Sequence, residues 1–300
     1  MNVRTLSFMV MAFAGLPIAT LAQDANSTAA KPAVVAELFT SEGCSSCPPA
    51  DALLAELDKR KTFAGVPVIV LSEHVDYWNH DGWHDPFSSE LWTARQNGYN
   101  QHFRLDSVYT PQMIVDGTQQ INGSSGSQVA HAIETAASQP GKLQIEISDT
   151  SWDNDVLHAK VSIADLSPQT AKGTTLYAVL ADDEDTSSVA RGENSGRTLK
   201  HVSVVRVLQK VSSLHGPYSG PLDQVAPWGD AQQDAPHRLC AKRRERSDLW
   251  RSATGSLSLR IIFQIFSEIA GSSERWCKSH PAKHGRAANT HRLWTRPQRA

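Results

Sequence analysis

Cysteine is scarce in this chain. It has four in 300 residues, and only Cys44 and Cys47 fall within the first 235. A zinc site built on Cys-x-x-Cys spacing needs a second ligand pair, and that stretch supplies none. Long apolar runs are missing as well: the best, Leu6 to Ile18, is too short to cross a bilayer. The first 235 residues also lack a basic surplus, with 15 Lys and Arg against 27 Asp and Glu, so they carry no electrostatic footprint for nucleic acid. The net charge of -2 points to no partner, but it hides an asymmetry, because residues 236–300 hold 14 basic against 4 acidic residues.

What is present begins with a secretory pattern. Arg4 supplies charge, Leu6 to Ile18 an apolar core, and "ATLA" the small residues suited to cleavage after Ala22. We therefore expect a signal peptide over 1–22 and a periplasmic or secreted product with no membrane span after cleavage. In that compartment a thiol pair can persist as a disulfide.

Periodicity divides the remainder. Over 33–138, strand patterns ("VVAELFT", "VPVIVLSEH", "PQMIVDG") alternate with helical ones: "PPADALLAELDKR", a stretch from "DPFSSELWTARQNGYNQHF" that Ser88 or Ser89 would cap, and a last helix from Gln128 to Ala137. That order predicts a small α/β layer domain. Over 141–212 there is no helical pattern but four alternating runs, "LQIEISD", "VLHAKVSIAD", "TTLYAVLADD" and "KHVSVVRVLQKV", which predict a β-rich domain, a sandwich or meander. Its acidic run "ADDEDTSS" reads as a solvated loop. From 228 to 300 periodicity fails and Arg dominates, with 11 of the 18 arginines in the last 65 residues. Such a break is expected of a disordered tail, a frame-shifted end or an unrelated extension. "AKRRERSDLWRS" has the composition of a nucleic-acid arm, but an exported protein seldom meets nucleic acid, and no such partner is expected. "LSLRIIFQIFSEIA" has the makings of a helix.

The order strand, Cys-x-x-Cys, helix carries the chemistry. Cys44 precedes a helix begun by Cys47 and Pro48, where free N–H groups and the positive end of the macrodipole would stabilise a thiolate and make it nucleophilic. Pro48 and Pro49 fit the first turn without loss. Cys47, facing inward, is placed to resolve a mixed disulfide formed at Cys44. Further along, Thr110 and Pro111 open a strand. A proline there is a candidate cis peptide, leaving an open backbone edge for an extended substrate, although an ordinary turn proline fits the spacing equally well. Gln112 and Met113 lie beside it, the second more suited to core.

The loop "SEHVDYWNHDGWHDP" gathers Glu73, His74, Asp76, His80, Trp83, His84 and Asp85. His74 or Asp76 could shuttle protons, and Trp78 with Trp83 could floor a peptide site; a rigid loop of packed tryptophans and capping carboxylates is the plainer reading.

Together, "VVAELFTSEGCSSCPPAD", "VIVLSEHVDYWNHDGWHDPFSSELWTARQ" and "VYTPQMIVDG" resemble the secreted thioredoxin-like proteins grouped as the domain of unknown function 1223 family. The resemblance runs from about Val34 to Arg206 and implies a thioredoxin-type fold, with Cys44 and Cys47 at the active-site position and Pro111 at the cis-proline position. It implies no settled substrate, and the chain departs from it after about Val211. Two function classes follow from the residues. One is a thiol–disulfide oxidoreductase acting on protein thiols or disulfides, using no cofactor and needing a redox partner to regenerate the pair. The other is a copper(I) carrier, its thiolates helped by His74, His102 or Met113. A third reading makes the disulfide structural and the β-rich half a binding module.

Overall fold

The computed structural model describes residues 33–140, 143–153, 156–225 and 257–264. The expected signal peptide, Cys240, Cys277 and most of the Arg-rich tail lie outside them. Strand β1 (Val34–Thr40) leads through the cysteine loop into α1 (Pro48–Arg60), then the short β2 (Thr62–Phe63) and β3 (Val66–His74). A 3-10 turn (Tyr77–His80) precedes α2 (Glu90–Phe103), the hairpin β4 (Gln112–Val115) and β5 (Gln119–Asn122), and α3 (Gly126–Ser138). Next come β6 (Glu146–Asp153), β7 (Val156–Ile163), one turn of helix α4 (Pro168–Ala171), the long pair β8 (Thr175–Ser188) and β9 (Thr198–Ser213), β10 (Tyr218–Val225) and β11 (Leu257–Gln264).

The result is a mixed α/β fold. Its central sheet runs β11-β8-β9-β3-β1-β4-β5, with β2 attached to β3, and a second, three-stranded sheet runs β10-β7-β6. Strands β1 and β3 are parallel, as the intervening helix requires, and β4 returns antiparallel to β1. The two-residue period of β1 sorts its side chains. Val34, Ala36 and Leu38 meet Ala50, Leu54 and Leu57 of α1 and Val129, Ala132 and Ile133 of α3. Their neighbours Glu37 and Phe39 turn to the opposite face, where Tyr99 of α2 lies. The spacing of Ala50, Leu54 and Leu57 gives α1 its apolar stripe. Ser89 caps α2, its hydroxyl accepting from the Leu91 N–H at 3.3 Å.

The β-rich half differs from its expected form as a region apart. Its four alternating runs are all strands, but β8 and β9 join the central sheet, β9 lying parallel to β3 with Val204 opposite Ser72. The cause is visible in β8, which is apolar on both faces. Leu176, Ala178 and Leu180 pack with Leu157, Val161 and Ile163 of the second sheet, while Tyr177 and Val179 pack with Leu71 and Trp92 of the first region. A strand buried on both sides belongs inside a layered structure rather than at the surface of a separate sandwich. Part of the run expected as helix, Leu257–Gln264, is a strand instead, paired antiparallel with β8 over its whole length.

Candidate functional site

The cysteine loop runs from Ser41 to Cys47 at the C-terminal end of β1. Cys44 and Cys47 are joined in a disulfide. Turn bonds from Cys44 N–H to the Ser41 carbonyl and from Cys47 N–H to the Cys44 carbonyl, each 3.2 Å, fold the loop onto the helix start. Gly43 is required by close approach, because a Cβ there would stand 2.9 Å from Trp78 Cβ and 3.1 Å from the Trp78 carbonyl oxygen. Trp78 in turn donates its indole N–H to Thr110 Oγ1 at 2.8 Å, and the Thr110–Pro111 bond is cis. The register that sets Gln112 opposite Phe39 brings Pro111 to the end of β1, where the cysteine loop begins. Gly123, bonded through its N–H to the Pro111 carbonyl, closes that side against Leu38 and Ala50.

Two expectations about Cys44 need correction. The first turn of α1 offers no free N–H groups to a thiolate: Pro48 and Pro49 have none, and the amides of Ala50 and Asp51 both donate to the Cys47 carbonyl. A hydroxyl stands beside the sulfur instead: Ser46 Oγ lies 3.4 Å from Cys44 Sγ. That contact of Ser46 with the sulfur is one that the sequence pattern offered no reason to expect. Nor is the sulfur open to solvent. Cys44 and Cys47 are both 0 % exposed, although Ser45 and Ser46 between them face outward.

Beneath the loop lies a buried charged cluster that spans both halves of the chain. Glu42 is its centre. One carboxylate oxygen accepts from the Trp83 indole N–H at 2.7 Å and from the Ser187 hydroxyl at 3.0 Å, and the other lies 3.2 Å from His201 Nε2. The Glu42 amide donates to Asp85 Oδ2, which also holds His74 Nδ1 at 2.7 Å. The rings of His74 and His201 meet edge to face at 4.6 Å. Asp51, one turn beyond Cys47 on α1, accepts from the Thr40 hydroxyl and lies 3.9 Å from His201 Nδ1. Burial raises the Asp51 pKa against the opposing pull of His201 and His74. Burial alone would lower the pKa of His201, but the Glu42 hydrogen bond and the Asp51 charge outweigh it and leave it raised. Asp85 is drawn down to about 2: burial opposes this, but the His74 charge and the hydrogen bonds to it prevail.

The loop residues singled out in the sequence are thus divided. His74 and Asp85 sit in the buried cluster, whereas Asp76 is tied to α2 through Thr93. Trp78 and Trp83 flank the cysteine loop on separate partners, and Glu73 turns to the opposite face, beside Arg95. Gln112 and Met113 are buried, the first bonded to Gln96 and the second in the main core. His102 stands exposed near the end of α2, so the suggested copper ligands His74, His102 and Met113 lie on different elements. Among the described residues, no three His, Cys, Asp or Glu side chains are grouped to hold an ion. His201, Ser187, Glu193 and Asn194 were not legible as site residues, because they belong to strands and a turn that sequence assigns to another region.

A family model described as a protein of unknown function, DUF1223, matches residues 35–239. The crystal structure of protein AGR_C_4864 from Agrobacterium tumefaciens is 28 % identical, with a TM-score of 0.51 over 63 % of this chain and 78 % of that one. HBP35 of Porphyromonas gingivalis is 14 % identical, with a TM-score of 0.46 over 67 % of this chain and 66 % of that one. No curated protein matches the chain.

Proposed function

We propose that this chain, which belongs to the DUF1223 family, carries out thiol–disulfide exchange on exported proteins through Cys44 and Cys47. The observation that carries the reading is the Cys44–Cys47 disulfide at the mouth of α1, in a loop that packs through Gly43 on Trp78, which in turn bonds Thr110. The succession β1, Cys-x-x-Cys, α1, β3, α2, β4, β5, α3, with central order β3-β1-β4-β5, supports a thioredoxin-like framework around it. In the reducing direction the Cys44 thiolate, with the Ser46 hydroxyl as donor, attacks one sulfur of a partner disulfide and expels the other as a thiolate. Cys47 loses its proton and attacks Cys44 Sγ, forming the intrachain disulfide and releasing the second partner thiol, so that two electrons pass to the substrate. The disulfide form can run the same steps in reverse. A redox partner in the same compartment restores the starting state. The signal-like N-terminus supports an exported setting.

The complete burial of both cysteines favours a second reading, a binding module whose disulfide only braces the loop. One experiment separates the two. Cys47→Ser, expressed with its leader and trapped in periplasmic extract, is expected to accumulate mixed disulfides at Cys44 that mass spectrometry can identify. Failure to trap, together with a reduction potential below the range of exchange-active pairs, would leave only the structural disulfide.

A further inference from the structure

We propose that the β8–β9 connection, Val189–Arg197, is a cover over the disulfide that must lift from Cys44 before a substrate can reach the sulfur. The proposal rests on the exchange reading for its purpose, but not for its test. The cover is built for this place. Asn194 is wholly buried, and its side-chain amide donates to the carbonyls of both Glu42 and Cys44 at 2.9 Å each. Arg197 Nη1 donates to Asn194 Oδ1 at 3.1 Å, which fixes the amide so that its nitrogen faces the cysteine loop. Glu193 Oε2 accepts the Ser45 N–H at 3.1 Å. Gly192, at φ +75°, brings the backbone against Trp83 and the Asp81 carbonyl, where a Cβ would meet Trp83 Cβ at 3.1 Å.

The segment is closed on itself. Val189 and Arg197 pair across its base, Gly196 N–H returns to the Val189 carbonyl at 2.8 Å, and Ser195 and Arg197 bond back to Gly192 and Asn194. It can therefore move as one piece. The hydrogen bonds that join it to the cysteine loop come from two side chains, Asn194 and Glu193. The strands at its base are held far more firmly, by Ser187 and His201 on Glu42 and by the β8–β9 ladder. Opening the cover thus leaves the fold intact, and the contacts it breaks are those to the Glu42 and Cys44 carbonyls and the Ser45 amide.

Reduction of the disulfide by tris(2-carboxyethyl)phosphine reads the open population directly, with no protein substrate required. Asn194→Ala removes both bonds to the Glu42 and Cys44 carbonyls, and we expect it to speed reduction by about tenfold or more, with Glu193→Ala giving a several-fold rise. Hydrogen exchange of the β1 and β3 amides should stay at wild-type levels in both. Glu193 is exposed, so its variant tests the cover even if Asn194→Ala weakens the fold. Wild-type reduction rates in folded Glu193→Ala and Asn194→Ala would overturn the proposal. Faster reduction without any trapped partner in Cys47→Ser would keep the cover and discard the exchange reading. Trapped partners with unchanged reduction rates would do the opposite.

Discussion

Glu42 joins the cysteine loop to the β8–β9 pair, and replacing it tests whether the buried cluster is an ionic unit. In Glu42→Gln the amide oxygen can still accept from Trp83 and Ser187, but the charge facing His201 is gone. Losing a charge-assisted bond at a buried site costs about 1–3 kcal/mol. Glu42→Leu strands all three partners and costs about 3–5 kcal/mol. For a chain of this size each kcal/mol lowers the melting temperature by about 2–4 °C. The pH dependence gives the sharper test. His201 has its folded pKa raised above 6.5, so its pairing contributes stability that is fully present below 6.5 and is lost as pH rises through the folded value. The deficit of Glu42→Gln should therefore be larger at pH 6 than at pH 9, in denaturant titrations of the oxidised protein. Glu37 and Glu73 bond or pair with Arg95 and Tyr99 rather than with this cluster, so their titration cancels in the difference. A deficit that is flat with pH, or greater at pH 9, would show that His201 is neutral in the fold and refute the ionic account.

The second acidic cluster makes a prediction of the opposite kind. Glu73 is pushed up to about 8, chiefly by burial and also by Glu37, against the opposing charge of Arg95. The stability it contributes is present below its ordinary pKa of 4.5 and lost as pH rises through about 8, so Glu73→Gln should gain on wild type between pH 6 and pH 9 in thermal melts. A difference between the two proteins that stays flat from pH 6 to pH 9 would mean that Glu73 is already ionised in the fold at pH 6. Gly43→Ala places a methyl 2.9 Å from Trp78 Cβ and should cost about 1–3 kcal/mol, with a shift in tryptophan emission as Trp78 gives way; an unchanged spectrum and midpoint would remove the close packing from the account.

Much of the first region was legible because its signals are local. Alternation in "VVAELFT", the proline pair at the start of α1 and the serine cap of α2 each act over a few residues, and each element formed where its pattern lies. The β-rich half was legible as strands but not in its placement. Which sheet β8 joins depends on Tyr177 and Val179 finding Leu71 and Trp92, a contact across roughly a hundred residues that no local period encodes. The candidate site fails for the same reason. Cys44 and Cys47 are marked by their spacing and Pro111 by the family resemblance, whereas Asn194 and His201 meet Glu42 only because β9 has docked on β3. The helix-start argument misled through its own proline signal, since the residues that mark the start of α1 are also those that remove its donors.

That docking changes what the β-rich half is for. Had it been a free-standing module, the cysteine loop would keep Trp78, Trp83, Gly123 and the Thr110–Pro111 turn as walls, but Glu42 would lack its His201 and Ser187 partners. Desolvating a carboxylate with so few donors is costly, so Glu42 would be expected at the surface and the loop more open. Instead β8 and β9 supply donors from below through Ser187 and His201 and, through their connection, a roof from above. The same hairpin that makes Glu42 tolerable in the interior also closes Cys44 from solvent. Stability of the cluster and access to the sulfur are thus linked through one hairpin, and a substitution in its strands that loosens His201 should expose the disulfide as surely as one in the turn.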